Sequence, residues 1–146
     1  MKKLLTSLLM MVLAVTVASA RDRYTSDVNT LPQLAQQILK QHFGKVAVNH
    51  IKIESHTFGG DDYEVILDNG TEVDFNSKGE WTDIEAGRRG VPASIIPAEI
   101  NKHLKAQYSK QKVVSIDRDK KGYELKLTNG LELRYNKYGH FLGFDD

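Results

Sequence analysis

Five histidines, His42, His50, His56, His103 and His140, are the first side chains to weigh for chemistry. None stands in an HExxH or a close His-x-His arrangement, so no metalloprotease or histidine metal-site spacing is present. His42 and His103 fall on the apolar stripes of two helical segments, where a packed, hydrogen-bonded imidazole is expected. Cysteine is absent, which removes disulfides, thiol nucleophiles and thiolate metal ligands. No Gly-x-Ser-x-Gly occurs, and the glycines sit in hairpins rather than in a phosphate-cradling loop. Carboxylates remain. Glu72, Asp74 and Glu80 gather on one strand face, which reads as a solvated surface, a weak cation site or a patch for a basic partner. Asp61-Asp62 behind Gly59-Gly60 offers oxygen ligands, but the spacing follows no calcium-binding loop. Two aromatics, Phe58 and Tyr138, fall on turns outside the apolar stripes, where a rigid exposed ring can anchor a partner protein. These residues imply no catalytic centre, no metal-ion site and no cofactor.

The elements that position them come from a duplication. Tyr63 to Ile84 reads YEVILDNGTEVDFNSKGEWTDI, and Tyr123 to Phe144 reads YELKLTNGLELRYNKYGHFLGF. Eight of these 22 aligned positions are identical, including both glycines of both turns, so the chain reads as two tandem units. Leu31, Leu34, Ala35, Ile38, Leu39, His42 and Phe43 follow the i, i+3, i+4, i+7 spacing of a helix, with Thr30 as its cap, Pro32 in its first turn and Gly44 at its end. Ile96, Pro97, Ile100, Leu104 and Tyr108 repeat the pattern 65 residues on, more weakly. Each unit then reads helix followed by four strands. The first has about five extra residues in the loop His56 to Asp62. Boundaries are residues 31–86 and 91–146 within one compact domain, preceded by a loosely ordered 21–30.

Parity fixes the hairpins. A three-residue loop Asp68-Asn69-Gly70 pairs Leu67 with Thr71, Val65 with Val73 and Tyr63 with Phe75, gathering apolar residues on one face. Ser77-Lys78-Gly79, Thr128-Asn129-Gly130 and Lys137-Tyr138-Gly139 do likewise. Tyr63, Val65, Leu67, Val73, Phe75, Trp81, Tyr123, Leu125, Leu127, Leu131, Leu133, Tyr135 and Phe141 should therefore form the core with the helices. Glu64, Ile66, Glu72, Asp74, Glu80 and Thr82 should face away, with Glu124, Lys126, Glu132, Arg134, His140 and Leu142 as their counterparts. The fold class is α+β, a two-layer arrangement with helices on one side of a polar-backed antiparallel sheet.

Residues 1–20 read as a cleaved secretion signal: Lys2 and Lys3, an apolar run from Leu4 to Val17, then Ala18-Ser19-Ala20. No later segment is long and apolar enough to span a membrane. Cleavage would leave 126 residues with eighteen basic and nineteen acidic side chains. That near-neutral balance argues against nucleic-acid binding. A monomer is expected.

At the repeated strands the chain resembles the PepSY-like, β-lactamase-inhibitor-like exported proteins of Bacteroidetes. The matching text is TLPQLAQQILKQHF with YEVILDNGTEVDFNSKGEW, and IIPAEINKHLKAQY with YELKLTNGLELRYNKYGHF. The resemblance implies one continuous sheet built from two four-stranded units, a periplasmic or secreted location, and binding rather than catalysis. Inhibitors of this fold lay an aromatic-rich open face and a hairpin loop over their enzyme. Here the open face is acidic and mixed in charge, and Asp68, on a central hairpin, matches no inhibitor motif. The expectation is a non-catalytic protein that binds a periplasmic protein or peptide through Glu72, Asp74, Glu80, Arg134, His140, Phe58, Asp68 and Tyr138. Inhibition of a peptidase or β-lactamase, and an accessory role with weak cation binding, are the alternatives.

Overall fold

A computed structural model describes residues 21–145; the proposed signal segment lies outside the described residues. The described chain forms one nine-stranded antiparallel sheet whose spatial order is its sequence order. Strand β1 (Arg23–Thr25) precedes helix α1 (Gln33–Phe43), which is followed by β2 (Val48–Ser55), β3 (Asp61–Leu67), β4 (Glu72–Phe75) and β5 (Trp81–Glu85). Helix α2 (Ala98–Gln107) is followed by β6 (Val113–Arg118), β7 (Gly122–Leu127), β8 (Glu132–Asn136) and β9 (Phe141–Phe144). The sets of four join where β5 pairs with β6, Asp83 opposite Asp117 and Ile84 opposite Ile116.

One row of side chains runs the breadth of the core face. Ile51, Val65, Val73, Ile84, Ile116, Leu125 and Leu133 stand opposite one another in turn on β2 to β8, and all seven are fully buried. Burying an aliphatic side chain of this size contributes roughly 1.5–3 kcal/mol, so this row is a main source of stability. Ala35, Leu39 and Phe43 of α1 and Ile100 of α2 close over the same continuous cluster. The helices are tied to the sheet's glycine turns. A Cβ on Gly79 would stand 2.9 Å from the backbone N of Ala35, and one on Gly139 would stand 3.0 Å from Glu99 Cβ.

The three-residue loops form as parity requires. Leu67 N–H donates to Thr71 O and Gly70 N–H to Leu67 O, with Gly70 at φ 84°. Phe75 pairs with Trp81, and Tyr135 with Phe141.

Several expectations fail locally. Residues 21–30 are ordered: β1 pairs with β2, and Asp27 caps a turn of 3-10 helix at Val28–Thr30 by accepting from Asn29 N–H. Thr30 does not cap α1, because its hydroxyl donates back to Asp27 O. Pro32 takes the cap position without a side-chain bond. Gly44 ends α1 in the right-handed region rather than as a left-handed cap; a Cβ there would meet Lys40 O at 2.4 Å. Leu34 and Leu131 are exposed rather than buried, at 42% and 37%. Leu34 lies over the Gly79 turn instead of the sheet, and Leu131 sits between the Gly130 turn and the start of β8. Phe141, expected in the core, is 38% exposed because β9 is an edge strand with no neighbour among the described residues on its far side.

Candidate functional site

One residue along from the buried row, the pleat turns every side chain to the open face. Lys52, Glu64, Asp74, Asp83, Asp117, Glu124 and Arg134 stand opposite one another on β2 to β8. Five carboxylates in succession are therefore flanked by one cation at each end. Neighbouring strands lie about 4.8 Å apart, and like charges directly opposite are destabilising. A second row beside the first adds Glu72 opposite Glu85, then Ser115, Lys126 and Glu132.

The flanking cations are largely committed elsewhere. Lys52 bonds Glu54 and lies 3.5 Å from Asp22; Glu54, through that hydrogen bond, holds the Lys52 ammonium well above its ordinary value and is itself lowered by it. Arg134 reaches Asp145 at 4.0 Å. Among the described residues no ion pair reaches Glu64, Asp74, Asp83, Asp117 or Glu124. The consequence is protonation. Burial, then the charges of Glu72 and Glu64, push Asp74 up to about 7. Burial, then a hydrogen bond and repulsion from Asp117, push Asp83 up to about 8. Glu72 and Glu124 are raised as well, burial again leading in each. Asp74 Oδ1 is buried without a hydrogen-bond partner among the described residues.

Two groups converge closely enough to share an ion. Oxygens of Glu64, Glu72 and Asp74 lie within 4.8 Å of one another, as do those of Glu124, Glu132 and Asp145. Hard oxygen donors of this kind suit calcium, which takes six to eight oxygens and accepts water for the remainder.

The expected site residues divide into three places. Glu72, Asp74 and Arg134 lie on the open face. Phe58, Glu80, Tyr138 and His140 sit in turns at one end of the sheet, with Phe58 90% and Tyr138 66% exposed. Glu80 accepts from Asn76 Nδ2, and the His140 N–H is held by Asn136 Oδ1. Asp68 lies at the opposite end, accepting from Asn49 Nδ2 at 3.1 Å, so the structure does not join it to the others. His42 and His103 are packed: the first bonds Ser94 Oγ at 2.8 Å, the second bonds the Tyr135 hydroxyl at 2.8 Å and stacks on Phe141.

Strict alternation missed Asp83, Glu85 and Asp117. The β4–β5 ladder shifts between Asp74 and Phe75, so Asp74 faces Asp83 while Phe75 faces Trp81. Thr82 is the extra residue of a bulge, and it moves Asp83 onto the open face. The signal was there, since Trp81 and Ile84, three apart, can both be buried only if one residue is bulged.

A family described as "Putative beta-lactamase-inhibitor-like, PepSY-like" matches residues 61–143. The chain belongs to the PepSY-like family. The PepSY-like match runs from β3 to β9 and contains all five carboxylates of the row. Among solved structures, a "putative periplasmic protein of unknown function" from Bacteroides vulgatus is 44% identical, covering 86% of this chain and 100% of its own, with a TM-score of 0.80. A "putative calcium-regulated periplasmic protein" from Bacteroides thetaiotaomicron is 41% identical, covering 86% of this chain and 97% of its own, with a TM-score of 0.79. No curated protein matches this chain. No helix among the described residues is long and apolar enough to cross a membrane.

Proposed function

We propose that this PepSY-like chain is a non-catalytic periplasmic binding protein whose open sheet face takes a divalent cation of the calcium class at Glu64, Glu72 and Asp74. The observation that carries this reading is the unbroken succession of five opposed carboxylates without a paired cation among the described residues. Opposed carboxylates destabilise the sheet unless protons or bound cations neutralise them, and at neutral pH a divalent ion replaces several protons at once. The relative described as calcium-regulated, 41% identical, supports the choice of ion. Three carboxylates on an open face leave most ligand positions to water, so affinity should fall in the range of about 10⁻⁴–10⁻³ M seen for extracellular modules.

Calorimetric titration with calcium tests this. The protein should give saturable heat, and a Glu64→Gln, Glu72→Gln, Asp74→Asn triple variant should give none. Absence of heat from the unaltered protein, or equal heat from both, would sink the reading.

A second reading concerns a protein or peptide partner. Phe58 and Tyr138 project from turns at the same end of the sheet as Glu80 and His140, a pattern suited to anchoring a partner. Photo-crosslinkers at positions 58 and 138 should capture the same periplasmic protein. Capture of different proteins, or none, would count against a shared docking end.

A further inference from the structure

The two halves of the sheet carry clefts at matching positions, and the residues that differ between them change what each can hold. The first, about 190 Å³, is lined by Glu54, Asp62, Glu64 and Asp74 with no basic side chain. The second, about 420 Å³, lies sixty residues on, where Gly122 replaces Asp62 and Arg134 replaces Asp74, and where Leu142 stands with Thr82, which lines both clefts. Gly122 has φ 155°, and a Cβ there would stand 2.0 Å from Tyr135 O, so this position contributes no side chain. The cleft is consequently the roomier of the two.

Its charges are of both signs. Asp117 and Glu124 stand opposite each other across β6 and β7, and Glu124 stands opposite Arg134. Lys121 enters from the β6–β7 turn, its backbone fixed by N–H donation to Asp119 Oδ1 at 2.7 Å. Among the described residues Lys121 makes no ion pair within 4.0 Å, and Arg134 meets only Asp145 at that limit. Arg118 is not available, because it donates twice to Trp81 O and lies 4.2 Å over the Trp81 ring. Two cations, Lys121 and Arg134, thus face one space with Asp117 and Glu124, beside the exposed apolar side chain of Leu142; Asp119, also in the lining, is occupied by the backbone N–H groups of Lys121 and Gly122.

We propose that this second cleft binds a small zwitterion, an amino acid or short peptide, with its carboxylate at Lys121 and Arg134 and its ammonium at Asp117 and Glu124. The site goes beyond the cation reading and does not depend on it, since the proposed cation ligands lie in the other half of the sheet. A guanidinium and an ammonium converging on one carboxylate supply charge-assisted bonds, and Leu142 gives a wall for an apolar side chain.

Glycyl-leucine in EDTA is the direct probe, with N-acetyl-glycyl-leucinamide as the uncharged control, both followed by calorimetry. The free dipeptide should bind, and the blocked one should bind at least about tenfold more weakly. Below the melting transition, Lys121→Glu and Arg134→Glu should each weaken the free dipeptide by a similar factor, the first with an unchanged thermal midpoint and the second with a lowered one because it sets a further carboxylate opposite Glu124, whereas Arg134→Lys should retain most of the binding. Equal binding of both dipeptides, binding of neither, or indifference to both charge reversals would overturn the proposal. Because calcium is absent throughout, failure here is distinguishable from failure of the cation site.

Discussion

Asp74 and Asp83 show how a residue's charge is set by what stands opposite it. Each carboxylate faces others across the strands, and each is pushed up, to about 7 and about 8 respectively. The sign of the pH effect follows. A carboxyl whose folded value lies above its unfolded one binds its proton more tightly in the native state. Its stabilising contribution is full below the unfolded value near 4 and is lost as pH rises through about 7 to 8. The thermal midpoint should therefore fall between pH 5 and pH 8.5 in calcium-free buffer. Asp83→Asn should flatten that fall and raise the midpoint at pH 8.5, by a few degrees at most, since water still screens the row. An unchanged pH slope, measured by calorimetric or fluorescence melting, would mean that Asp74 and Asp83 are not raised as described. His103 is a residue of the other kind, held between Tyr135 and Phe141. His103→Ala should cost about 1–3 kcal/mol in urea unfolding by leaving the buried Tyr135 hydroxyl unpaired.

At the scale of elements, the turns separate two roles of glycine that look the same in sequence. Gly70 and Gly79 both have positive φ, but a Cβ on Gly70 meets nothing within 4 Å, whereas one on Gly79 strikes α1. Gly70→Ala should cost only the backbone term, about 1–2 kcal/mol. Gly79→Ala should cost more, because the helix must also shift. Equal losses in denaturant titration would contradict the helix–turn contact. Hairpin registers were legible because apolar residues alternate cleanly and each turn carries its glycine. What alternation could not show was the Thr82 bulge, which takes its meaning from Ile84 having to be buried. Nor could it show β1, three polar residues with no apolar pattern, which is held by pairing with Arg23 opposite Ile53. Leu34 satisfies a helical stripe by spacing, yet the Gly79 turn reaches its side of α1 and leaves it half in water.

Across the described chain, the nine strands bring together acids that are distant in sequence. Glu64 and Glu124 are sixty residues apart, but Asp74, Asp83 and Asp117 link them in one row. No local motif encodes that row; it exists because β5 pairs with β6 in a register that sets Asp83 against Asp117. This is why Glu72 and Asp74 were visible as candidates while the continuous row was not. A cation bound only by the folded sheet should stabilise it by mass action. At tenfold excess over the dissociation constant the gain is about 1.4 kcal/mol, a rise of a few degrees in midpoint. Magnesium, which sheds its water reluctantly, should do less at equal concentration.

The most direct test is backbone amide chemical-shift mapping at pH 7.5 as calcium is added. The cation reading predicts saturable shifts centred on Glu64, Glu72 and Asp74 and spreading to Asp83 and Glu85, with α1 and α2 unmoved. No saturable shift, or shifts centred on the helices, would contradict it.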